Sequence, residues 1–378
     1  MYLTHKQRLY PTEYQEQKFI QFAGTARWTY NECLSYKIKC YKEDNYICKT
    51  QDMIKHIQEL KYSDEYKWIQ ETPEAVTRQA IRDLYSAYEN FFRRGNKGFP
   101  KFKSKNKTKL SFYQRPDKIK SKVINNVVYI KITGIKEWVK AKESLRTDKP
   151  QNPRITYDNK YWYLSYSYEL EPFPKSTSTD IIGVDLGIKN LAVTSDNKIY
   201  KNINKTEKIK KIENRLKRLQ RKVSKKYKMN KQGNKFIKTK NIIKIEKQIR
   251  ILYRTLSNIR NTYIHEVTKD LVRTKPKAIC IEDLDICGMM KNRYLSKIIA
   301  EQEFYKFRTY LEYKCKLNGI DLIIADRYYP SSKTMSCCGY KFNKLSLSTR
   351  ILKCPQCNTI IDRDLNAAIN LKNYALAY

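Results

Sequence analysis

The chain has few acidic residues for its length. Its 378 residues include 38 Asp and Glu against 77 Lys and Arg, which gives a formal net charge of +39. Such a charge opposes compaction unless a polyanion neutralises it. Nucleic acid is the obvious polyanion, because each phosphate contact also releases counterions. The sequence therefore predicts a nucleic-acid-binding protein, long enough for two or three domains with real cores.

Long apolar segments are also absent. No run of 18 apolar residues occurs, and the polar stretch that follows Met1 does not have the pattern of a secretory signal. A protein of the membrane surface could be as basic as this chain. Without an apolar segment, however, we expect no membrane partner and a soluble, intracellular protein.

The ten cysteines lack the pattern of a disulfide framework. Most of them are scattered through apolar or helical contexts, where a buried thiol is the default. These scattered residues are Cys33, Cys40, Cys48, Cys280, Cys287 and Cys315.

Four further cysteines precede the last predicted helix. Cys354-Pro-Gln-Cys357 has the spacing of half a zinc ribbon. The other half is defective, because Met335 stands where its first cysteine belongs. Cys337 is adjacent to Cys338, and we expect neighbouring side chains to diverge. The sequence predicts zinc at Cys338, Cys354 and Cys357 and leaves open a rearranged Cys337 or a metal-free ribbon held by packing.

The first 106 residues combine one strand with helices. Residues 2–9 read as a strand, and Thr12 with Gln15 forms the capping box of a helix. A second helix begins at Thr72-Pro73, since proline suits the first helical position. Arg78 and Gln79 lie away from the apolar face of that helix, so we expect them to be accessible.

Residues 93–109 contain eight basic residues and no acid. Phe99 and Phe102 are interleaved with the basic side chains. One interpretation is a solvated loop, and the other is a clamp that binds a nucleic-acid backbone and stacks bases on its aromatic rings. The clamp hypothesis assigns nucleic-acid binding to four residues: Arg93, Arg94, Lys101 and Lys103.

Residues 110–170 are rich in β-branched and aromatic residues between turn signals. They predict a small antiparallel barrel or sandwich. The strand from residue 2 could close this sheet, which would make the helices at 12–106 an insertion.

The second half of the chain alternates strands and helices. Residues 181–185 and 191–194 read as strands, and a pair of long helices follows with an a/d seam typical of an antiparallel hairpin. Between residues 205 and 244, 17 Lys and Arg accompany two Glu. So strong a bias favours a hairpin that faces nucleic acid. The predicted elements follow one another as three strands, a helical hairpin, a strand, a helix, a strand, an insert and a helix. This is the order of an RNase H-like fold.

Three acidic residues are expected to meet in this fold. Asp185 would lie on the central strand, Glu282 at the end of the fourth strand and Asp364 at the start of the last helix. Carboxylate oxygens suit Mg²⁺, and a pair of such ions supports phosphodiester hydrolysis. Taken singly, each acid could instead be a turn residue, a salt-bridge partner or a helix cap, and Asp362 competes with Asp364.

The chain resembles the TnpB proteins of bacterial insertion sequences, which are relatives of type V CRISPR effectors. No single motif is specific, but the set covers most of the chain. The matching segments are Arg8-Leu9-Tyr10-Pro11-Thr12, residues 91–94, 98–102 and 183–187, Ile281-Glu282-Asp283-Leu284, and residues 288–292, 330–334 and 362–370.

The resemblance implies a multidomain α+β protein with an RNase H-like (RuvC) nuclease domain. Its expected parts are a wedge-like β-barrel (1–10 and 107–178), a helical recognition insertion (11–106), the RuvC-like domain (179–334 and 358–378, with its helical hairpin at about 205–273) and a degenerate zinc-ribbon insert (335–357).

The implied activity is that of an RNA-guided DNA endonuclease. A noncoding RNA encoded by the transposon would bind the protein and pair with one strand of a double-stranded DNA target. The metal site would consist of two Mg²⁺ ions held by Asp185, Glu282 and Asp364, and it would cleave the target DNA. A short motif beside the target would be read by Arg78 and Gln79. The expected location is the bacterial cytoplasm, at the nucleoid. Whether one or two copies bind an RNA is left open.

Two alternatives belong to other classes. One is an RNA-guided DNA-binding repressor that does not cleave, but such a protein should have lost an acid, and all three are present. The other is a guide-free DNA-binding accessory protein of the transposon. A purified protein without a discrete RNA, yet fully active on DNA, would support the last hypothesis.

Overall fold

The structure is a computed structural model, and it describes residues 1–94, 98–105, 107–346 and 349–377. The chain divides into two compact units, Tyr2–Leu170 and Glu171–Tyr378. Among the helices in these described ranges, none has the length and apolar character needed to cross a membrane.

The first unit contains a seven-stranded antiparallel sheet. Its strands are β1 (Tyr2–Tyr10), β2 (Ser111–Tyr113), β3 (Lys120–Ile124), β4 (Val127–Lys131), β5 (Val139–Ala141), β6 (Gln151–Tyr157) and β7 (Trp162–Glu169).

The strand order is β2-β6-β7-β1-β5-β4-β3. The strand from residue 2 therefore joins the two halves of the sheet. In the described residues β2 and β3 are the edges of this order and do not pair with each other, so closure into a barrel is not shown. Alternate residues of β7, from Trp162 to Tyr168, are buried in one core with Phe112 and Ile130, which explains why the alternating pattern predicted strands.

In the described part of the first unit three α-helices pack together: α1 (Glu13–Asp44), α2 (Thr50–Tyr62) and α3 (Glu74–Arg94). The predicted capping box is present, since Thr12 and Gln15 exchange hydrogen bonds at the start of α1. The sequence analysis missed α2. Met53 and Ile57 of this helix are buried in the core shared by the three helices, and Ile54 and Leu60 pack against that core.

The second unit contains the sheet expected of an RNase H-like fold. The strands of this unit are β8 (Ile181–Leu186), β9 (Asn190–Thr194), β10 (Ile199–Lys201), β11 (Lys231–Gln232), β12 (Lys235–Phe236), β13 (Ala278–Glu282), β14 (Asp321–Ala325), β15 (Ile351–Lys353) and β16 (Ile360–Asp362). The strand order of the sheet is β10-β9-β8-β13-β14, in which β8–β13 and β13–β14 are parallel pairs.

The helices of the second unit support this sheet and form the predicted hairpin. They are α4 (Glu207–Met229), α5 (Lys240–Arg273), α6 (Ile286–Met290), α7 (Ser296–Gln302), α8 (Phe304–Asn318) and α9 (Arg363–Ala377).

The hairpin consists of α4 and α5, which the short strands β11 and β12 connect. Ile209, Leu216 and Leu256 are buried between the two helices, as the a/d spacing predicts. Its lysine-rich outer surface is exposed.

Candidate active site

The register of two parallel strands aligns Asp185 with Glu282. Val184 on β8 lies opposite Ile281 on β13, and each acid is the next residue of its strand. Both side chains are half-buried at the carboxyl ends of the strands. Because carboxyl ends of parallel strands share one edge of a sheet, the two acids belong to one site.

A glycine brings α9 against the strand that carries Asp185. A Cβ atom at Gly183 would collide with the backbone of Ala368 and Lys372 on α9. Asn366 and Asn370, both buried, also tie this helix to the carbonyl group of Thr334 through hydrogen bonds of 2.7 and 2.6 Å. The close approach places the first turn of α9, with Asp364, near the acids of the sheet.

Asp362 and Asp364 make different contacts. A carboxylate oxygen of Asp362 accepts hydrogen bonds from the backbone N–H groups of Asp364 and Leu365, at 2.9 and 3.2 Å. Asp362 is thus the residue that caps α9. The half-buried carboxylate of Asp364 instead lies 3.7 Å from the guanidinium of Arg350, a residue that the sequence analysis did not single out.

The pKa of Asp185 depends on the charges of the other two acids. Burial raises the pKa of Asp185 well above its usual value, and the charges of Glu282 and Asp364 raise it further. Arg363 has the opposite effect on this pKa, and Asp362 has the smallest effect of the four. Asp364 therefore acts on Asp185 more strongly than Asp362 does.

Burial also raises the pKa of Glu282, to about 7, although a backbone hydrogen bond from Leu186 acts in the opposite direction. Carboxylates that are withdrawn from water and repel one another bind a proton or a cation readily. Oxygen ligands are those that Mg²⁺ prefers. The donor set at this edge therefore fits a hard divalent cation.

Asp283, next to Glu282, has a different role in the structure. Its carboxylate accepts hydrogen bonds from Arg327, at 2.7 and 3.1 Å, and from Arg308, at 3.0 Å. These contacts hold the pKa of Asp283 below its usual range, and the hydrogen bond from Arg327 has the largest effect. The sequence analysis missed this cluster, because neither arginine is close to Asp283 along the chain.

The cysteine cluster includes a residue that the sequence analysis set aside. The four Sγ atoms of Cys337, Cys338, Cys354 and Cys357 all lie within 4.8 Å of one another. The expectation that Cys337 would diverge from the cluster was wrong, because its sulfur is 3.1 Å from that of Cys357. Hydrogen bonds from the side chain and backbone of Thr359 lower the pKa of Cys357 to about 6. Four thiols at this spacing fit a zinc ion.

Met335, which stands where the ribbon lacks a cysteine, lies in the small core of the insert. It is 1% exposed and packs with Leu352 and Cys354. This packing explains how the insert tolerates methionine there. Cys337 supplies the fourth sulfur from a position two residues further along the chain.

The residues predicted to contact nucleic acid lie apart from the acids along the chain, in the first unit. On α3, Arg78 is paired with Glu74 at 2.6 Å, and the Gln79 side chain donates to Asp83 at 3.0 Å. Arg93 is exposed and lies 3.6 Å from Glu89. The side chain of Arg94 lies outside the described residues.

The two predicted lysines of the clamp differ. Lys101 is exposed. Lys103 is half-buried, with its ammonium group 3.5 Å from the centroid of the Tyr30 ring. Burial lowers the pKa of Lys103, and Asp83 acts in the opposite direction. Asn31 hydrogen-bonds the backbone of Lys103 at 2.7 and 3.0 Å, so Lys103 anchors its segment to α1.

Three family models match successive parts of the chain. They are described as "Helix-turn-helix domain" for residues 1–45, "Probable transposase" for residues 165–293 and "Cas12f1-like, TNB domain" for residues 304–371. In the structure, residues 1–45 form a strand and one long helix rather than two helices.

Similar proteins align with nearly the whole chain. One is the candidate RNA-guided DNA endonuclease InsQ of Escherichia coli K12, which is 27% identical over 97% of this chain and 90% of its own length. Another is a candidate RNA-guided DNA endonuclease of Streptomyces pristinaespiralis, 28% identical over 98% of this chain and 89% of its own length.

A solved structure has the same fold. It is the cryo-EM structure of the Cas12f1-sgRNA-target DNA complex, whose protein superposes with a TM-score of 0.60 at 16% identity and covers 96% of this chain and 83% of that one. The family models and the end-to-end relatives agree with the strand order and with the acids at the edge of the sheet: the chain is similar to the TnpB proteins of insertion sequences over nearly its whole length.

Proposed function

We propose that the chain is an RNA-guided DNA endonuclease that cleaves by metal-assisted phosphodiester hydrolysis. The observation that carries this proposal is the placement of Asp185 and Glu282 at one edge of an RNase H-like sheet, where the charges of Glu282 and Asp364 both raise the pKa of Asp185. The relatives named as RNA-guided DNA endonucleases align over nearly their whole length, which supports guiding by RNA as well as cleavage.

The three carboxylates are the proposed ligands of two Mg²⁺ ions. When bound, such a pair activates a water molecule and stabilises the leaving oxygen of the phosphodiester. The chain's part is to hold the oxygen ligands on rigid elements and to keep them partly out of water. Asp364 is preferred over Asp362 as the third ligand, since the Asp362 carboxylate already caps α9.

The large positive charge suits a protein that holds an RNA–DNA duplex by its backbone. In a guided nuclease base pairing reads the sequence, and the protein recognises duplex shape and phosphate. The basic exterior of the α4–α5 hairpin and the clamp at 93–109 would supply such contacts. No side chain then has to discriminate bases along most of the target.

In this proposal Arg78 and Gln79 read the short motif beside the target. Both are now engaged by acids, Arg78 by Glu74 and Gln79 by Asp83. An exposed ion pair of this kind stabilises by about 1 kcal/mol or less, so a base edge can replace Glu74 at low cost. Lys103 would act by positioning its segment, whereas Arg93, Arg94 and Lys101 would contact the backbone.

The proposed domains are those inferred from the sequence: a wedge-like domain (1–10 and 107–178), the helical insertion (11–106), the RuvC-like domain (179–334 and 358–378) and the ribbon (335–357). In the ribbon we propose a structural zinc ion on four thiolates, with Cys337 as the fourth ligand.

The experiment measures cleavage of matched DNA by the purified protein together with its copurifying RNA. We expect Asp185→Ala to abolish cleavage of the matched DNA while RNA-dependent DNA binding is retained. Asp321→Ala is the matched control, because Asp321 lies at the opposite end of the same sheet, where its exposed carboxylate is 3.7 Å from the ammonium group of Lys175. Full cleavage by Asp185→Ala would refute the assigned site, and wild-type binding without any cleavage would favour a repressor.

A further inference from the structure

A cleft of about 570 Å³ opens in the first unit between α1, α3 and the segment around Phe99. We call it the aromatic cleft. Its volume is within the range of about 300–1,000 Å³ that ligand sites occupy, and none of the described residues that line it is Asp or Glu. The side chains on which the argument depends are Lys37, Tyr41, Lys42, Tyr46, Phe92 and Phe99.

The rings of the cleft are exposed yet held in place. Phe92 is 74% exposed and Tyr41 59% exposed. Beneath them Tyr88 is buried, and its ring stacks on Phe92 and meets Phe99 edge-on, with centroids 6.4 and 5.4 Å away. Adjacent exposed rings of this kind mark an interaction site. Because Tyr88 fixes two of the rings, a partner would lose little freedom in ordering them.

Cationic groups accompany the rings. The ammonium of Lys37 lies 5.0 Å from the centroid of the Tyr88 ring and donates to the Cys48 carbonyl at 2.5 Å. Lys42, on the same helix, also lines the cleft. The site thus combines flat apolar faces with positive charge, and a nucleotide has the complementary groups: a base that stacks and a phosphate that pairs with ammonium.

Charge disfavours a second copy of the chain as the occupant. A two-fold contact would set Lys37 and Lys42 against the same residues of another molecule with a charge of +39. An uncharged apolar ligand would leave both ammonium groups without an anion. A nucleotide avoids both problems.

RNA offers unpaired nucleotides of this kind. Folded RNA leaves loops and bulges, and proteins recognise their unstacked bases by stacking them on aromatic side chains. In the proposed function one DNA strand is paired with the guide, and the strand that is cut must reach the acids of the second unit. We propose that the aromatic cleft binds unpaired nucleotides of the guide RNA by stacking, an inference that rests on the proposed function.

The test replaces two aromatic rings of the cleft by apolar side chains that cannot stack on a base. The variant Tyr41→Leu/Phe92→Leu is compared with Tyr62→Leu, which alters a tyrosine on α2 that is 76% exposed and does not line the cleft. The probe is the RNA that copurifies with the wild-type chain, sequenced and transcribed in vitro. Its Kd is measured at several salt concentrations, and thermal unfolding verifies that each variant is folded.

We expect the double variant to bind this RNA between roughly 5- and 100-fold more weakly, which is the effect of losing a stacked base. The slope of log K against log salt should not change, because no phosphate contact is lost. Lys42→Gln should reduce that slope. Tyr62→Leu should match the wild type, and chemical probing of the RNA should detect newly reactive bases in the double variant at a few unpaired positions only.

An unchanged RNA affinity in the double variant would overturn the inference. If its affinity for a single-stranded DNA oligonucleotide fell instead, the cleft would belong to DNA. If the wild type were a dimer and the variant a monomer with equal RNA affinity, the occupant would be a second copy. A wild type that cleaves with its RNA but fails this test refutes the cleft alone, whereas a wild type that binds no RNA refutes the proposed function and the cleft together.

Discussion

The acidic edge and the cysteine cluster are two candidate metal sites of the same unit, and they are built in different ways. Asp185, Glu282 and Asp364 are separated by nearly the whole nuclease unit, and core strands and a tightly packed helix bring them together. The four cysteines are local, and only a small core around Met335 supports them. The packed sheet and helix hold the first site in place without a metal ion, whereas a metal ion on the four thiols would contribute much of the order of the second site.

The largest expected effect is on the cleavage rate, and it distinguishes Asp364 from its neighbour Asp362. Asp364→Ala should lower cleavage by roughly a thousandfold or more, because a metal ligand is lost. Asp362→Ala should retain cleavage within severalfold and should lower the free energy of unfolding by about 1 kcal/mol, because a helix cap is lost. Cleavage rates and denaturant unfolding of both variants measure these effects. A fully active Asp364→Ala would transfer the role to Asp362.

The second prediction concerns the cysteine cluster. The wild type should contain roughly one zinc ion per chain, and Cys337→Ser should lose most of it, as Cys354→Ser should. Cys287→Ser is the control, since Cys287 is exposed and outside the cluster. Metal analysis of purified proteins decides the matter. Zinc below about 0.2 equivalents in the wild type would contradict the site, and full zinc in Cys337→Ser would restore the three-cysteine prediction.

The third prediction uses the pKa of Glu282 in metal-free protein. Its folded-state pKa, about 7, is above its value of 4.5 in an unfolded chain. Protonated Glu282 therefore favours folding at low pH, and this contribution is lost as pH rises from about 4.5 through 7. The loss should amount to at most about 3 kcal/mol.

Thermal unfolding in a chelator, at a series of pH values, measures this effect. Glu282→Gln should flatten the pH dependence in that window, and Mg²⁺ should stabilise the wild type more at pH 8 than at pH 5. A wild type whose stability rises with pH across the window, by the same amount as the variant, would contradict the assignment.

The smallest expected effect is at Asp283. Its two arginines are 41% and 47% exposed, so Asp283→Asn should lower the free energy of unfolding by about 1 kcal/mol or less. Cleavage should remain within about tenfold of the wild type, in contrast to Glu282→Gln. A loss of cleavage as large as that of Glu282→Gln would place Asp283 among the metal ligands.

Much of the nuclease unit could be predicted from the sequence, because its strand order and its periodic helices are local signals. The seam of Ile209, Leu216 and Leu256 and the positions of Asp185 and Glu282 follow from such patterns. Some contacts between distant segments could not be predicted. The strand from residue 2 was expected to join the sheet, but its central place there was not. Tertiary packing also determines the pairing of Asp283 with Arg308 and Arg327 and the approach of Cys337 to Cys357.

Some local features were also missed. The helix α2 was missed although Met53, Ile54, Ile57 and Leu60 recur at helical spacing and pack on one core. Asp362 and Asp364 have equivalent spacing before the last apolar stripe, and the hydrogen bonds from the backbone of α9 distinguish Asp362, which caps the helix, from Asp364, which does not. Residue type alone cannot separate these two roles.

The central claim, cleavage of DNA under the direction of an RNA, is tested most directly by changing the guide segment. The purified chain is assembled with its copurifying RNA, whose guide segment is then replaced by a sequence that matches a second DNA site beside the same adjacent motif. The account predicts that cleavage moves to the new site, requires Mg²⁺ and disappears in Asp185→Ala. Cleavage that stays at the original site, or that occurs equally without RNA, would contradict it.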